Sequence, residues 1–146
     1  LPNFFVFFIF FKKNTYYRIV SNPPFFSNSL KSPHQIKNQA KHNDILTLET
    51  LCKSAFQLLL PNGLFYIILP PEEAKNFIKI STSQKLYLQS IIYVKSVEHK
   101  RVFRNILIFS KFNNFNCEEK TIVIQQKNGN YTAEYKALTK DFFLNF

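Results

Sequence analysis

A strand-like run, Tyr16-Tyr17-Arg18-Ile19-Val20-Ser21, meets Asn22-Pro23-Pro24-Phe25-Phe26 and has to stop there. Two successive prolines fix φ and remove two backbone N–H donors, so no ladder continues through them. The resulting corner holds a side-chain amide and an aromatic ring on stiff backbone at the carboxyl end of a strand. In open α/β sheets that is where ligands are handled. Asn and Pro also favour plain turns, which is the bland account of the same residues. A chance match to the broader pattern of Asn, Asp or Ser followed by Pro-Pro and an aromatic arises in roughly one chain in a hundred of this length, which favours the functional account.

The chemistry of the corner is specific. An exocyclic amine on a nucleobase is a poor nucleophile because its lone pair is delocalised into the ring. Two acceptors on its two hydrogens, the side-chain oxygen of Asn22 and the carbonyl of Pro23, hold the nitrogen with its lone pair facing an electrophile. That is catalysis by positioning and electrostatics, with no strong base required. Phe25 offers a flat face for a base drawn out of its stack.

At these residues the sequence resembles a known family. Ile19-Val20-Ser21-Asn22-Pro23-Pro24-Phe25-Phe26 is similar to the motif of amino-methyltransferases that use S-adenosylmethionine. More narrowly, it resembles that of the bacterial tRNA adenine-N6-methyltransferases that modify the adenosine next to the anticodon of a valine tRNA. Three further blocks follow in the family's order. Ala40-Lys41-His42 stands where the family has Ala-Arg-His, residues 63–70 match its Gly, apolar strand and Leu-Pro, and residues 131–146 match its C-terminus through Ala137-Leu138-Thr139 and Phe142-Phe143-Leu144.

The likeness covers residues 17–146. It implies a Rossmann-like class I methyltransferase fold, S-adenosyl-L-methionine as cofactor, adenosine 37 of a valine tRNA as substrate and a cytoplasmic location. It also implies that Asn22, Pro23, Pro24 and Phe25 form the catalytic corner, with Asn22 touching the cofactor as well. Lys41 in place of Arg weakens any bidentate contact made there.

The chain of 146 residues is long enough for one domain with a single core. It holds 18 Phe with no Trp and no Met and starts Leu1-Pro2. We read it as a piece of a longer protein: residues 1–15 a degenerate or misread stretch, residues 16–146 the C-terminal part of a methyltransferase domain. The apolar run at residues 4–11 is too short for a bilayer, which needs about 20 residues; no membrane partner is expected.

The net charge of +10 is weighted toward the corner, since residues 1–46 hold six Lys or Arg against one Asp. Lys31, Lys37 and Lys41, with His42, follow in a Ser/Asn-rich loop that suits RNA phosphates. The alternative is a solvated loop in which His42 caps the next helix. An AT-rich coding sequence produces the same surplus of Lys, Asn, Ile and Phe. Cys52 and Cys117 have neither metal-ligand spacing nor a disulfide framework, so no metal is expected.

Periodicity sets out the remaining elements. Thr47 caps a helix over residues 48–59 that Pro61-Asn62-Gly63 closes. The unbroken apolar run 64–69 predicts a strand buried on both faces. Pro71-Glu72-Glu73 opens a helix to about residue 84. Strands are expected over 86–94, 102–112 and 121–125. Residues 95–101 read as a polar loop with Glu98 and His99 structural, and residues 127–130 as a turn. A closing helix over 133–144 puts Tyr135, Leu138, Phe142 and Phe143 on one side. The order is α/β, parallel strands first and an antiparallel edge last.

One component is missing from the expected set. A dinucleotide-like cofactor is normally cradled by a Gly-rich strand-to-helix turn. The chain holds only Gly63 and Gly129, and nothing before Tyr16 resembles the family's cofactor loop. The intact parent is therefore expected to methylate tRNA and this chain alone to be inactive. A truncated sheet exposes a strand edge and apolar faces, so the isolated chain is expected to self-associate. Two rivals stand beside this reading: a glutamine methyltransferase acting on release factors, whose amide nitrogen poses the same problem, and a non-catalytic basic remnant that binds RNA.

Overall fold

The computed structural model describes residues 12–24, 47–113 and 116–142. Thr47 starts the first helix as its side chain dictates: Oγ1 accepts from the Thr50 N–H at 3.0 Å, satisfying one of the free first-turn donors. Helix α1, Leu48–Leu58, buries Leu51, Cys52, Ala55 and Leu58 on one stripe.

Pro61-Asn62-Gly63 does not close that helix. The chain passes directly from Leu58 into strand β2, Leu59–Leu69, and the triplet lies within it. Strand β1, Tyr16–Ser21, pairs Tyr16 with Leu59 but Arg18 with Leu64, so residues 60–63 have only Tyr17 opposite them. This is a large bulge, and Pro61 fits it because no ladder hydrogen bond is asked of its nitrogen. Gly63 is there for space: a Cβ would lie 2.8 Å from the Leu59 side chain and 3.0 Å from the Tyr16 carbonyl oxygen.

Helix α2, Pro71–Ser83, begins with proline at its first position and Glu72 and Glu73 in its first turn, as expected from the sequence. Strands β3, Tyr87–Val97, and β4, Val102–Ser110, form a tight hairpin; β5, Glu118–Gln125, and helix α3, Ala133–Thr139, follow.

The strand order is β1-β2-β4-β3-β5. β1 runs parallel to β2 and β5 parallel to β3, while β4 is antiparallel to both its neighbours. The expected α/β class holds, but the antiparallel strand sits inside the sheet and the last strand is parallel. The cause is the connection lengths. The α2 crossover carries β3 one place beyond β2, and the short turn after β3 sets β4 antiparallel beside it, where it takes the vacant position between them.

Both long helices pack on one face. Phe65, Ile67 and Leu69 of β2 and Leu107 and Phe109 of β4 are fully buried against Cys52 and Ala55 of α1 and Ala74 and Phe77 of α2. Phe77 sets its ring edge against Phe109 with centroids 5.4 Å apart, and Phe65 lies 6.1 Å from Phe77.

The strand expected to be buried on both faces alternates instead. Leu64, Tyr66 and Ile68 point the other way and are only half-buried, as are Ile106 and Ile108 beside them. An unbroken apolar run reports what each face can accept; it does not report what covers it. The closing helix is shorter than expected and buries none of its residues: Leu138 is 52% and Phe142 85% exposed, and Phe143 lies outside the described residues. Among the described residues no helix is long and apolar enough to cross a membrane.

Candidate functional site

β1 and β2 run side by side and both end in proline pairs, so two strands stop at one end of the sheet. Ser21 is level with Ile67, and Leu69 is the last residue of β2 before Pro70-Pro71. The Asn22-Pro23-Pro24 corner leaves β1 at this point. Asn22 is exposed, Pro23 is buried and Pro24 is exposed again. The buried proline ring anchors the corner while the amide beside it faces solvent, and among the described residues no hydrogen bond engages that amide.

Phe25, and the expected RNA contacts Lys31, Lys37, Lys41 and His42, lie outside the described residues. Of the expected site, the described residues include Asn22, Pro23 and Pro24.

Next to the corner, α2 starts at Pro70-Pro71 with its first-turn amides at the same end of the sheet. Glu72 is paired with Lys75 at 2.9 Å, and Glu73 is exposed. Beneath the surface, two strands from β1, Asn105 stands opposite Leu69 and is 5% exposed. Among the described residues its buried Oδ1 has no hydrogen-bond partner, an unusual state for a polar atom. Sequence reasoning missed Asn105. The available signal was a lone amide in the otherwise apolar run Ile106 to Phe109 that it precedes.

The two glycines lie in the β2 bulge and in the turn after β5, where Gly129 has φ +86°. Neither forms a strand-to-helix turn, so the described residues contain no phosphate or cofactor cradle of that kind. No three His, Cys, Asp or Glu side chains among the described residues come together to hold a metal ion.

The thiols have ordinary structural surroundings. Cys52 is fully buried in α1, where burial first and then the nearby Glu49 charge push its pKa up to about 11. Cys117 is exposed just before β5, and its pKa is raised by desolvation and by the Glu119 and Glu118 charges.

No family model matches the sequence. Curated relatives do. The chain is 40% identical over 130 residues to a Phocaeicola vulgatus protein named tRNA1(Val) (adenine(37)-N6)-methyltransferase, covering 87% of this chain and 54% of that protein. It is 36% identical over 129 residues to the Bacteroides fragilis protein of the same name, covering 88% and 54%. The chain thus spans about half the length of the curated relatives it matches.

Among solved structures, a predicted O-methyltransferase of Agrobacterium tumefaciens superposes with a TM-score of 0.61 at 12% identity, covering 88% of this chain and 53% of that one. A candidate DNA modification methylase of Thermus thermophilus, solved in complex with S-adenosyl-L-methionine, superposes at 0.54 with 15% identity, covering 76% and 54%. These two likenesses establish the fold, part of a class I methyltransferase sheet.

Proposed function

Since the chain is a partial-length member of the tRNA1(Val) (adenine(37)-N6)-methyltransferase family, we propose that its parent protein methylates the N6 amine of an adenine in tRNA, adenosine 37 of a valine tRNA. S-adenosyl-L-methionine is the donor and supplies the electrophilic methyl group. The observation that supports this most directly is the exposed Asn22 followed by the buried Pro23 at the carboxyl end of β1.

In this reading the corner does the acceptor's part of the work. The side-chain oxygen of Asn22 and the carbonyl of Pro23 each take one hydrogen of the adenine amine, which holds the nitrogen lone pair in a fixed direction. Positive charge developing on that nitrogen would be stabilised by the same two oxygens. Phe25 stacks on the base, and Lys31, Lys37, Lys41 and His42 meet RNA phosphates on grounds of charge and sequence position.

The described residues offer no Gly-rich cradle for the donor, and no step here is routed through it. That supports the view that turnover belongs to the longer parent and not to this chain alone. Exposed Val20 and Tyr17 on the outermost strand, 80% and 51% accessible, support self-association of the isolated chain. A cytoplasmic location follows from a tRNA substrate.

The test is methyl transfer from labelled donor by the complete parent enzyme, with tRNA and release factor offered side by side. Label at N6 of adenosine 37 is expected. Label on the release factor glutamine instead would overturn the substrate, and rapid transfer by residues 1–146 alone would overturn the inactivity of the chain.

A further inference from the structure

Strand direction gathers more than the Asn22 corner at one end of the sheet. β2 and β3 are both antiparallel to β4 and so point the same way. The turn between β3 and β4, closed by the Lys100 N–H to the Val97 carbonyl at 2.9 Å, therefore lies at the same end as Asn22. Sideways it stands two to three strands from β1, about 10–14 Å at strand spacings of about 4.8 Å. Because Ser21, Ile67, Leu107 and Ile91 are level, β3 also runs on to Val97, about 20 Å past the end of β1, before it turns.

This turn is basic. Lys95, Lys100, Arg101 and Arg104 stand against one acid, Glu98, and His99, Lys100 and Arg101 are exposed. The side chains of Lys100 and Arg101 have no ion pair or hydrogen bond among the described residues. Lys95 gives one of its three donors to the Glu98 carbonyl at 3.1 Å. β5 runs parallel to β3, so the exposed turn carrying Lys127 is at this end too.

A bulge adds an aromatic surface. Val94 pairs with Arg104 but Lys95 pairs with Val102, which leaves Phe103 without a partner residue. Bulges re-aim side chains, and Phe103 is 40% exposed. The Arg104 guanidinium carbon lies 5.7 Å from the centroid of that ring, and Nη1 donates to the Phe103 carbonyl at 2.8 Å. An exposed ring with a guanidinium against it, bordered by free cations, combines the two parts of a single-strand RNA site: a stacking platform and phosphate neutralisation. Across the same end, Glu72 and Glu73 of α2 leave the helix-bearing side without such an attraction.

We propose that the β3–β4 turn, through Lys100, Arg101 and Phe103, is a second RNA contact that grips the same RNA a few nucleotides away from the base held at Asn22. The assignment rests on the tRNA reading above and names a surface that reading does not use.

The test is fluorescence anisotropy of a labelled, unmodified valine tRNA titrated with the chain at several KCl concentrations. The double variant Lys100→Gln/Arg101→Gln is expected to bind at least tenfold more weakly at low salt. The slope of log K against log salt should fall in magnitude by about 1.4–1.8, as expected for two lost phosphate contacts. Phe103→Leu is expected to weaken binding about tenfold with the slope unchanged, because it removes stacking and not charge. A control double variant, Lys53→Gln/Lys79→Gln, removes the same charge from the two helices and should bind within about twofold of the parent. Thermal melts of all three variants check that the fold is retained.

Failure of the chain to bind tRNA, or a turn variant that binds no more weakly than the helix control, overturns the proposal. Equally turn-dependent binding to phosphatidylserine vesicles overturns it in favour of lipid. The same variants placed in the complete enzyme separate the two readings. Normal tRNA methylation with an unchanged KM removes only the turn contact. Turn-dependent RNA binding by an enzyme that methylates no tRNA removes only the substrate assignment.

Discussion

Lys111 Nζ donates to Oδ1 of Asn14 at 2.9 Å, across 97 positions of the chain. The same ammonium donates to the Leu59 carbonyl at 2.6 Å and sits 4.6 Å from the centre of the Phe56 ring. One cation thereby ties the end of β4 to the approach to β1 and to the junction of α1 with β2. Asn14 suits the position because its φ of +51° lies in the left-handed region that Asn tolerates. Desolvation lowers the pKa of Lys111, so part of the gain from these contacts is spent on removing its charge from water.

Lys111→Met keeps the apolar stem and removes the donors. It is expected to lower stability by about 1–2 kcal/mol, since the partly buried Leu59 carbonyl loses its partner while Asn14 can turn to water. Urea denaturation should show a lower midpoint with an unchanged slope. An unchanged midpoint would mean that the clamp is energetically idle.

Asn22→Ala in the complete enzyme should cut kcat by about 10²–10³, the usual cost of losing one transition-state hydrogen-bond partner. The affinity for tRNA should stay within about threefold, measured by single-turnover methylation alongside anisotropy. Asn22→Asp keeps an acceptor oxygen and should lose less than Asn22→Ala. Equal loss of binding and rate would move Asn22 from chemistry to recognition.

Asn105→Leu should raise stability by about 1–2 kcal/mol, because it replaces a buried acceptor that lacks a partner with a similar apolar volume. A higher melting temperature checks this. A fall would show that Oδ1 has a partner in solution.

Iodoacetamide should label Cys117 and spare Cys52 until the chain unfolds, because one is exposed and the other fully buried. With the Cys117 pKa raised, less of it is thiolate at neutral pH, so its labelling rate should keep climbing as pH rises past the usual thiol value near 9. Peptide mass spectrometry across a pH series measures both. Early modification of Cys52 would contradict its place in the core.

Where local chemistry decided structure, the sequence was readable. Thr47 could only cap, Pro71-Glu72-Glu73 could only open a helix, and Asn22-Pro23-Pro24 could only end a strand, and all three do so. The losses came where pairing partners decide. Pro61-Asn62-Gly63 has the composition of a loop, yet β1 alongside turns it into a bulge. Phe103 looks like any strand aromatic until a one-residue mismatch with β3 brings it to the surface. Residues 95–101 read as a polar connector, whereas β3 extends through Val97 and only the strand order shows that the turn after it shares an end with Asn22. The basic loop after the corner was legible in composition alone, and its residues fall outside those described.

The interior antiparallel strand has a consequence for biosynthesis. β2 and β3 emerge from the ribosome before β4 exists, with an empty lane between them that only residues 102–110 can fill. β4 joins the sheet by insertion, and β5 is then added at the outer edge beside β3. A nascent chain that stops short of Val102 owns both long helices yet lacks Leu107 and Phe109, two fully buried members of the core beneath them, so that core closes only after β4 has emerged.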